Sequence, residues 1–341
     1  MQKNANIYDI ARISGVSKST VSRVINGHKG VNEETRKRVQ KAIDDCTYVP
    51  SNTARNLSTV VVAPQAAAVP SQAVVLLVHG ITNPFFSRII SAILEKMRAL
   101  NIPVSLHSCE AASGAQMTDE AVAIFNEERP RGIILLGGYF DENYGQLQAL
   151  GVPIVMASAT VHQPDRGWFS SIMLDEYYQG EKMAGYVCQF GHKSIAVIGR
   201  YHHREAGMNR VFGEFGVSPH YVELDFDGAH KYKTGYNAAN KLLDEGQYTC
   251  FMCLSDVLAM GAMKAVQERG LRIPDDISII GFDGLEGGQF LHPTLTSFVQ
   301  PFDEIAEKSV STMVSLLHEN GHNHHFLLNT DLQEGGSFRP L

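Results

Sequence analysis

The sequence predicts an α/β core built on parallel sheets, preceded by a small all-α domain. Three observations carry this. Short runs rich in Val, Ile and Leu alternate with amphipathic segments from residue 73 onward, the pattern of strands covered by helices on both faces. Residues 1–58 hold only short helical patterns with capping and turn residues between them. Charge divides at the same place: residues 1–58 carry ten Lys and Arg against five Asp and Glu, so this head is +5 and the rest of the chain is −12, within a total of −7. At 341 residues the chain suits two or three domains, and with 44% hydrophobic residues it can bury a sizeable core.

A basic head on an acidic body localises a polyanion at one end and repels it elsewhere. No apolar run reaches the ~18 residues that a membrane span needs. Met1-Gln2-Lys3-Asn4 leads toward a helix without an apolar leader, so the cytoplasm is the expected compartment. Five scattered cysteines do not make a disulfide framework. Cys250 and Cys253 have CxxC spacing, but they lie in an apolar run, where residues three apart on a strand point to opposite faces. A structural role is expected for them.

Asn6 is placed to cap a first helix, Ile7–Ser14, with Asp9 near its positive end. Gly15 tolerates the positive φ of a tight inter-helix turn. Ser17 can cap the second helix, Lys18–Asn26, which Gly27 stops. Val21, Val24 and Ile25 share one side of that helix. Lys18, Ser19, Ser22, Arg23 and Asn26 share the other, a short positive face suited to base edges and phosphates. Asn32 caps a third helix, whose apolar face carries Val39 and Ile43. Ser51–Ser58 is about two turns of potential helix, too short to be stable alone in water.

Ile7-Tyr-Asp-Ile-Ala-Arg12, Gly15 through Gly27, Tyr48-Val-Pro-Ser-Asn-Thr-Ala-Arg-Asn-Leu57 and Ile81-Thr-Asn-Pro-Phe-Phe86 resemble a bacterial LacI/GalR-type transcriptional repressor over nearly the whole chain. The resemblance implies a helix-turn-helix headpiece at 1–48, a hinge helix at 49–59, a linker at 60–72 and an effector-binding and dimerisation core at 73–341. That core would have the two-lobed periplasmic-binding-protein-like form, with one lobe about 73–162 and 299–325 and the other about 163–298 and 326–341. It further implies a homodimer whose two heads read half-sites of a pseudo-palindromic double-stranded operator. Lys18 and Ser19 would be the base-reading pair with Arg23 beside them. Ser17, Thr20, Ser22, Asn26, Asn32, Thr35 and Tyr48 would hold phosphates, and Asn6 belongs with this DNA-binding set. Arg55 would lie in or near the minor groove, and Leu57 would wedge open the central base step. The protein would be bacterial and nucleoid-associated when bound. No heptad tail follows Arg339-Pro340, which favours a dimer over a tetramer. Residues 60–72 are longer and more apolar than the family's usual join, and the block 227–235 is longer than its usual loop.

Ligands of parallel sheets sit at the carboxyl ends of strands. Those ends supply His79, Asn83 and Phe85 after the first strand, Ser158 after the fourth, Arg204 after the fifth, Phe226 after the sixth, Ser255 after the seventh and Asp283 after the eighth. Arg204 stands three residues before Gly207, as the family's ligand-binding arginine does. A donor fork on Arg204, an acceptor on Asp283 and an aromatic floor at Phe226 suit a polyhydroxylated ring. Asp256 is read as the cap of the helix it begins. His318, His322, His324 and His325 are read as a polar turn, with no metal and no cofactor expected.

The function expected is therefore a sequence-specific DNA-binding repressor whose operator affinity is controlled by a small effector, a sugar or sugar derivative, bound between the lobes. The alternatives are a purine- or nucleoside-type corepressor, or an enzyme or solute-binding protein on the same core. GxGxxG, Walker A, GxSxG and HExxH motifs do not occur in the chain, which counts against an enzyme.

Overall fold

The computed structural model describes residues 13–17, 20–21, 24, 32–45, 72–109, 114–140, 145–161, 167–222, 232–318 and 321–341. The chain forms two units, Met1–Ala68 and Val69–Leu341.

In the first unit Gly15 has φ +68, as a tight turn requires. Ser17 follows and accepts the backbone N–H of Thr20 on its Oγ at 3.2 Å, with its carbonyl accepting the N–H of Val21 at 3.0 Å. That is the expected cap of the second helix. Helix α1, Glu33–Asp45, is capped in the same way, with Asn32 Oδ1 accepting the Thr35 N–H at 2.7 Å. Val21, Val24, Val39 and Ala42 are buried. Their spacing puts these apolar residues on one side of each helix. The first helix up to residue 12, the hinge at 49–59 and all but the last residue of the 60–72 linker fall outside the described residues.

The second unit contains two six-stranded sheets. The first has the order β2 (Val104–Cys109), β1 (Val74–His79), β3 (Gly132–Leu136), β5 (Ile154–Ala157), β7 (Ser170–Leu174), β13 (His325–Leu328), and every pairing in it is parallel. A short parallel ribbon, β4 (Tyr139–Phe140) with β6 (Thr160–Val161), lies beside it in the chain. The second has the order β9 (His220–Tyr221), β8 (Ile195–Ile198), β10 (Cys250–Cys253), β11 (Ser278–Asp283), β12 (Thr296–Val299), β14 (Asp331–Gln333), with only β14 antiparallel. Residues alternate between faces along a strand. Val74, Leu76 and Val78 of β1 accordingly enter one apolar cluster while Val75 and Leu77 enter another. Cys250 and Cys253 likewise fall in separate clusters on opposite faces of β10, and burial pushes both thiols up from their ordinary range. They are core residues.

Helix α2, Pro84–Ala99, begins at an Asn83 cap and buries Phe85, Phe86, Ile89, Ile90, Ile93 and Met97 along one stripe. After it come α3 (Gly114–Glu128), the single turn α4 (Gly145–Gln148), α5 (Glu176–Gln189), α6 (His202–Phe215), α7 (Tyr232–Glu245), α8 (Asp256–Glu268) and α9 (Phe302–Leu316). The cluster on the α2 side runs through Phe85, Phe86 and Phe302 to Val257 and Leu285 of the second lobe, so the lobes share an apolar seam.

Two helix pairs cross on glycine. A Cβ at Gly180 of α5 would collide with the Arg204 carbonyl of α6, and one at Gly207 of α6 with the Tyr177 carbonyl of α5. Gly235 and Gly261 do the same for α7 and α8. Backbone meets backbone at these points because no side chain stands between.

The lobe boundaries differ from those expected. β7 pairs with β5 and β13 pairs with β7, so Ser170–Leu174 and His325–Leu328 both belong to the first lobe. The chain crosses at Asp175, at Gln300-Pro301 and at Asn329-Thr330, later each time than the sequence places it. β7 and β13 pair across 154 residues of chain (Ser171 with His325), a contact that local patterning does not carry. Tyr232–Gly235 is the first turn of α7 rather than part of a loop. His325 opens β13 and its Nδ1 lies 2.8 Å from Ser171 Oγ, so the histidine cluster is not wholly a polar turn.

Candidate functional site

The carboxyl ends of β8, β10 and β11 converge on a buried group of charges. Arg204 sits in the first turn of α6, and its side chain is 3% exposed. Its Nε and Nη2 both donate to Glu176 Oε2, at 2.8 and 2.6 Å, and Nη1 donates to the Leu254 carbonyl at 3.2 Å. The guanidinium carbon lies 3.6 Å from the centre of the Phe282 ring and 4.8 Å from that of Tyr201. A planar, weakly hydrated cation tolerates such burial when it is both paired and stacked. The glycine crossing places the pair. Gly180 lies one turn beyond Glu176 and Gly207 one turn beyond Arg204, so α5 and α6 touch where the two side chains meet.

Asp283 ends β11 at φ +123, a conformation that favours glycine and stores ~1–3 kcal/mol in other residues. Gln300 holds it from both directions: Nε2 donates to Asp283 Oδ1 at 2.8 Å, and the Gln300 N–H donates to the Asp283 carbonyl at 3.0 Å. Burial, with the nearby Asp256 charge adding to it, raises the Asp283 carboxyl well above the usual range; Gln300, Arg204 and the Asp256 N–H oppose the rise. Asp256 is fully buried. Its Oδ2 accepts the Leu285 N–H at 2.6 Å and its Oδ1 accepts the Ser297 hydroxyl at 2.6 Å. The carboxylate fits because residue 281 is glycine; a Cβ there would overlap Asp256 Oδ1. Burial lifts Asp256 to about 6, against the pull of these hydrogen bonds. Tyr201, between Glu176, Arg204 and Asp283, has its hydroxyl pushed up to about 12, by burial first and then by the Glu176 charge.

Arg204 and Asp283 are thus brought together, within electrostatic reach of each other. The other candidates are placed as follows. Ser158 follows β5 at φ +46, half-buried, and its N–H is held by the Ile172 carbonyl. His79 ends β1, half-buried. Asn83 and Ser255 are helix caps: Asn83 Oδ1 accepts the Phe85 N–H at 3.1 Å, and Ser255 Oγ accepts the Leu258 N–H at 3.4 Å. Ser255, not Asp256, therefore caps α8, and the Asp256 carboxylate turns back to the β11–β12 side. Phe85 is a core residue, 4.9 Å from Phe86 and 5.4 Å from Phe302 between ring centres. Phe226 falls outside the described residues, as do Asn6, Lys18, Ser19, Ser22, Arg23, Asn26, Tyr48, Arg55 and Leu57 of the DNA-binding set; Ser17, Thr20, Asn32 and Thr35 are described. Glu176 and Gln300 were not singled out in the sequence. Glu176 follows the capping Asp175 and reads there only as an acid at a helix start.

Residues 6–51 match the family model for bacterial regulatory proteins of the lacI family, and residues 184–338 match the periplasmic binding protein-like domain. The chain is 33% identical over 341 residues to an HTH-type transcriptional regulator, MalR, of Clostridium butyricum, covering 97% of this chain and 98% of that one. It belongs to the lacI family of bacterial regulators. The ribose operon repressor of Haemophilus influenzae is 27% identical over 341 residues, with 95% of each chain covered. Among solved structures, a CelR–cellobiose complex matches with a TM-score of 0.68 at 22% identity, covering 98% of this chain and 100% of that one. The lac repressor dimer bound to operator and an anti-inducer also gives 0.68, at 24% identity, with 98% and 99% covered. These two share the fold. A lacI-family chain of this organisation is a DNA-binding transcriptional regulator controlled by an effector, and the family is one of regulators rather than enzymes. No helix among the described residues is long and apolar enough to cross a membrane.

Proposed function

We propose that this regulator is a homodimeric repressor released from its operator by a carbohydrate that binds at the strand ends, between Arg204 and Asp283. The observation that carries the reading is the buried group itself: a stacked guanidinium and a protonatable carboxyl within electrostatic reach, at the carboxyl edge of a parallel sheet. Donor and acceptor beside aromatic faces match the alternating hydroxyls and C–H faces of a sugar ring. Two structures of this fold are described with bound ribose and one with cellobiose, and a relative is a ribose operon repressor, all of which support a sugar as the ligand class. In the headpiece, Lys18 and Ser19 read bases with Arg23, while Thr20 and Thr35 belong to the phosphate-holding set.

The test is a thermal-shift screen of sugars, sugar phosphates and purines on the full chain, followed by operator affinity at fixed salt with each hit. Arg204→Ala and Asp283→Ala are expected to abolish the shift and the operator response while leaving ligand-free DNA binding within about twofold, because neither residue lies in the headpiece. Shifts with purines alone would remove the carbohydrate reading. An undiminished response in both variants would move the site elsewhere.

A further inference from the structure

Among the described residues at these strand ends, Arg204, Arg200 and the N-terminus of α8 are each matched by groups of the same chain. Arg204 spends its Nε–H and an Nη2–H on Glu176 and an Nη1–H on Leu254, leaving two of its five N–H groups for a ligand. Arg200, four residues earlier, donates its Nε–H to Glu205 Oε1 at 2.9 Å. The positive N-terminus of α8 is filled from within: Ser255 takes the Leu258 N–H and the Asp283 carboxyl takes the N–H of Asp256. Asp256 adds a second acid behind Asp283. Among the described residues, a phosphate or carboxylate entering here finds Arg204, Arg200 and the N-terminus of α8 already matched. An uncharged hydroxyl meets two N–H donors and a carboxyl group able to accept.

We propose that Glu176 sets the charge class of the ligand: by neutralising Arg204 it makes the strand-end site admit uncharged polyhydroxylated molecules and reject their phosphate esters. The inference deepens the carbohydrate reading and rests on it. Specificity of this kind comes from what the site repels as much as from what it attracts. With glutamine at 176 the guanidinium keeps a hydrogen-bond acceptor of the same shape but recovers its net charge. Glu176→Gln therefore moves preference toward the anion, whereas Glu176→Asp keeps the charge and the original preference. A purely structural Glu176, holding α5 to α6, would lower the melting temperature and leave the preference untouched.

The experiment is calorimetric titration of the full-length protein with D-ribose, maltose and cellobiose beside ribose 5-phosphate and glucose 6-phosphate. Wild type is expected to bind a neutral sugar at least about tenfold more tightly than the matching ester, ~1.4 kcal/mol or more. That affinity should not change as ionic strength is raised from roughly 0.05 to 0.5 M, since no net charge is exchanged. In Glu176→Gln the neutral-to-ester ratio should fall at least about tenfold, while Glu176→Asp should keep it. Equal or tighter binding of an ester by wild type overturns the inference, as does an unchanged ratio in folded Glu176→Gln. If that variant does not fold, the wild-type ratio and its salt independence still decide. Binding of an ester alone overturns this inference and leaves the carbohydrate reading standing; binding of none of the five overturns both.

Discussion

Asp256 is stabilised by donors, from Ser297 and from the backbone N–H groups of Leu285, Gly284 and Phe282, and its burial outweighs them. Its carboxyl is raised from 3.8 to about 6. A carboxyl whose pKa is higher folded than unfolded contributes stability that is fully present below the unfolded value and is lost as pH rises through the folded one. Asp283 is raised as well and acts in the same direction. Asp256→Asn should remove one such contribution. Its amide oxygen can accept the Leu285 N–H, and its NH2 group can donate to Ser297 in reversed polarity. The melting temperature of wild type is expected to fall relative to this variant between about pH 4 and pH 7, read as the difference between the two profiles. Parallel profiles would show that Asp256 titrates as it does in the unfolded chain. Much at this scale was legible in advance. Gly15, Ser17 and Asn32 occupy the turn and caps that their chemistry specifies, and Cys250 and Cys253 divide between faces. Glu176 with Arg204 was not, because a contact between residues 28 apart, on two helices, leaves no local period to read.

At the scale of elements, the two glycine crossings explain why α5 lies so close on α6 and α7 on α8. A methyl group at Gly207 must displace a backbone carbonyl, which cannot rotate away as a flexible side chain can. Gly207→Ala is therefore expected to cost about 2–3 kcal/mol or more and to weaken ligand binding, since the same approach aligns Glu176 with Arg204. Gly213, on the same helix, is exposed with nothing within 4 Å of a Cβ. Gly213→Ala should stabilise by roughly 0.5–1 kcal/mol, because alanine removes unfolded-state freedom. Denaturant midpoints of the pair would settle it, and equal effects would reject the crossing argument. The alternation of apolar runs with amphipathic segments was enough to anticipate most of α2 through α9. It misassigned the edges of the lobes because β13 and β14 are edge strands of four and three residues, β13 with two exposed positions, and β7 opens on the polar pair Ser170-Ser171. An edge strand presents less of the continuous apolar pattern that marks a central one.

Over the whole molecule, a +5 head is joined to a −12 body. Binding to DNA should accordingly weaken steeply with salt, through the phosphates that the head neutralises. Lys18→Ala is expected to lower operator preference over random DNA by about 1–3 kcal/mol. Thr35→Ala, which keeps the backbone N–H that Asn32 caps, should weaken both DNAs alike. Competition measurements showing equal losses for the two variants would reject that division. The body carries its own device. The chain passes between lobes at three places: Asp175 caps α5, Gln300 is tied to Asp283, and Thr330 is gripped by Gln179 at 2.6 Å and by Lys182, whose Nζ lies 2.5 Å from the Thr330 carbonyl. A panel held at three points has fewer ways to swing, twist or slide than one held at a single point. On the reading proposed above, whatever enters beside Arg204 acts on the opening between the lobes through these three passages, and its occupancy is reported outward by how far the door stands open.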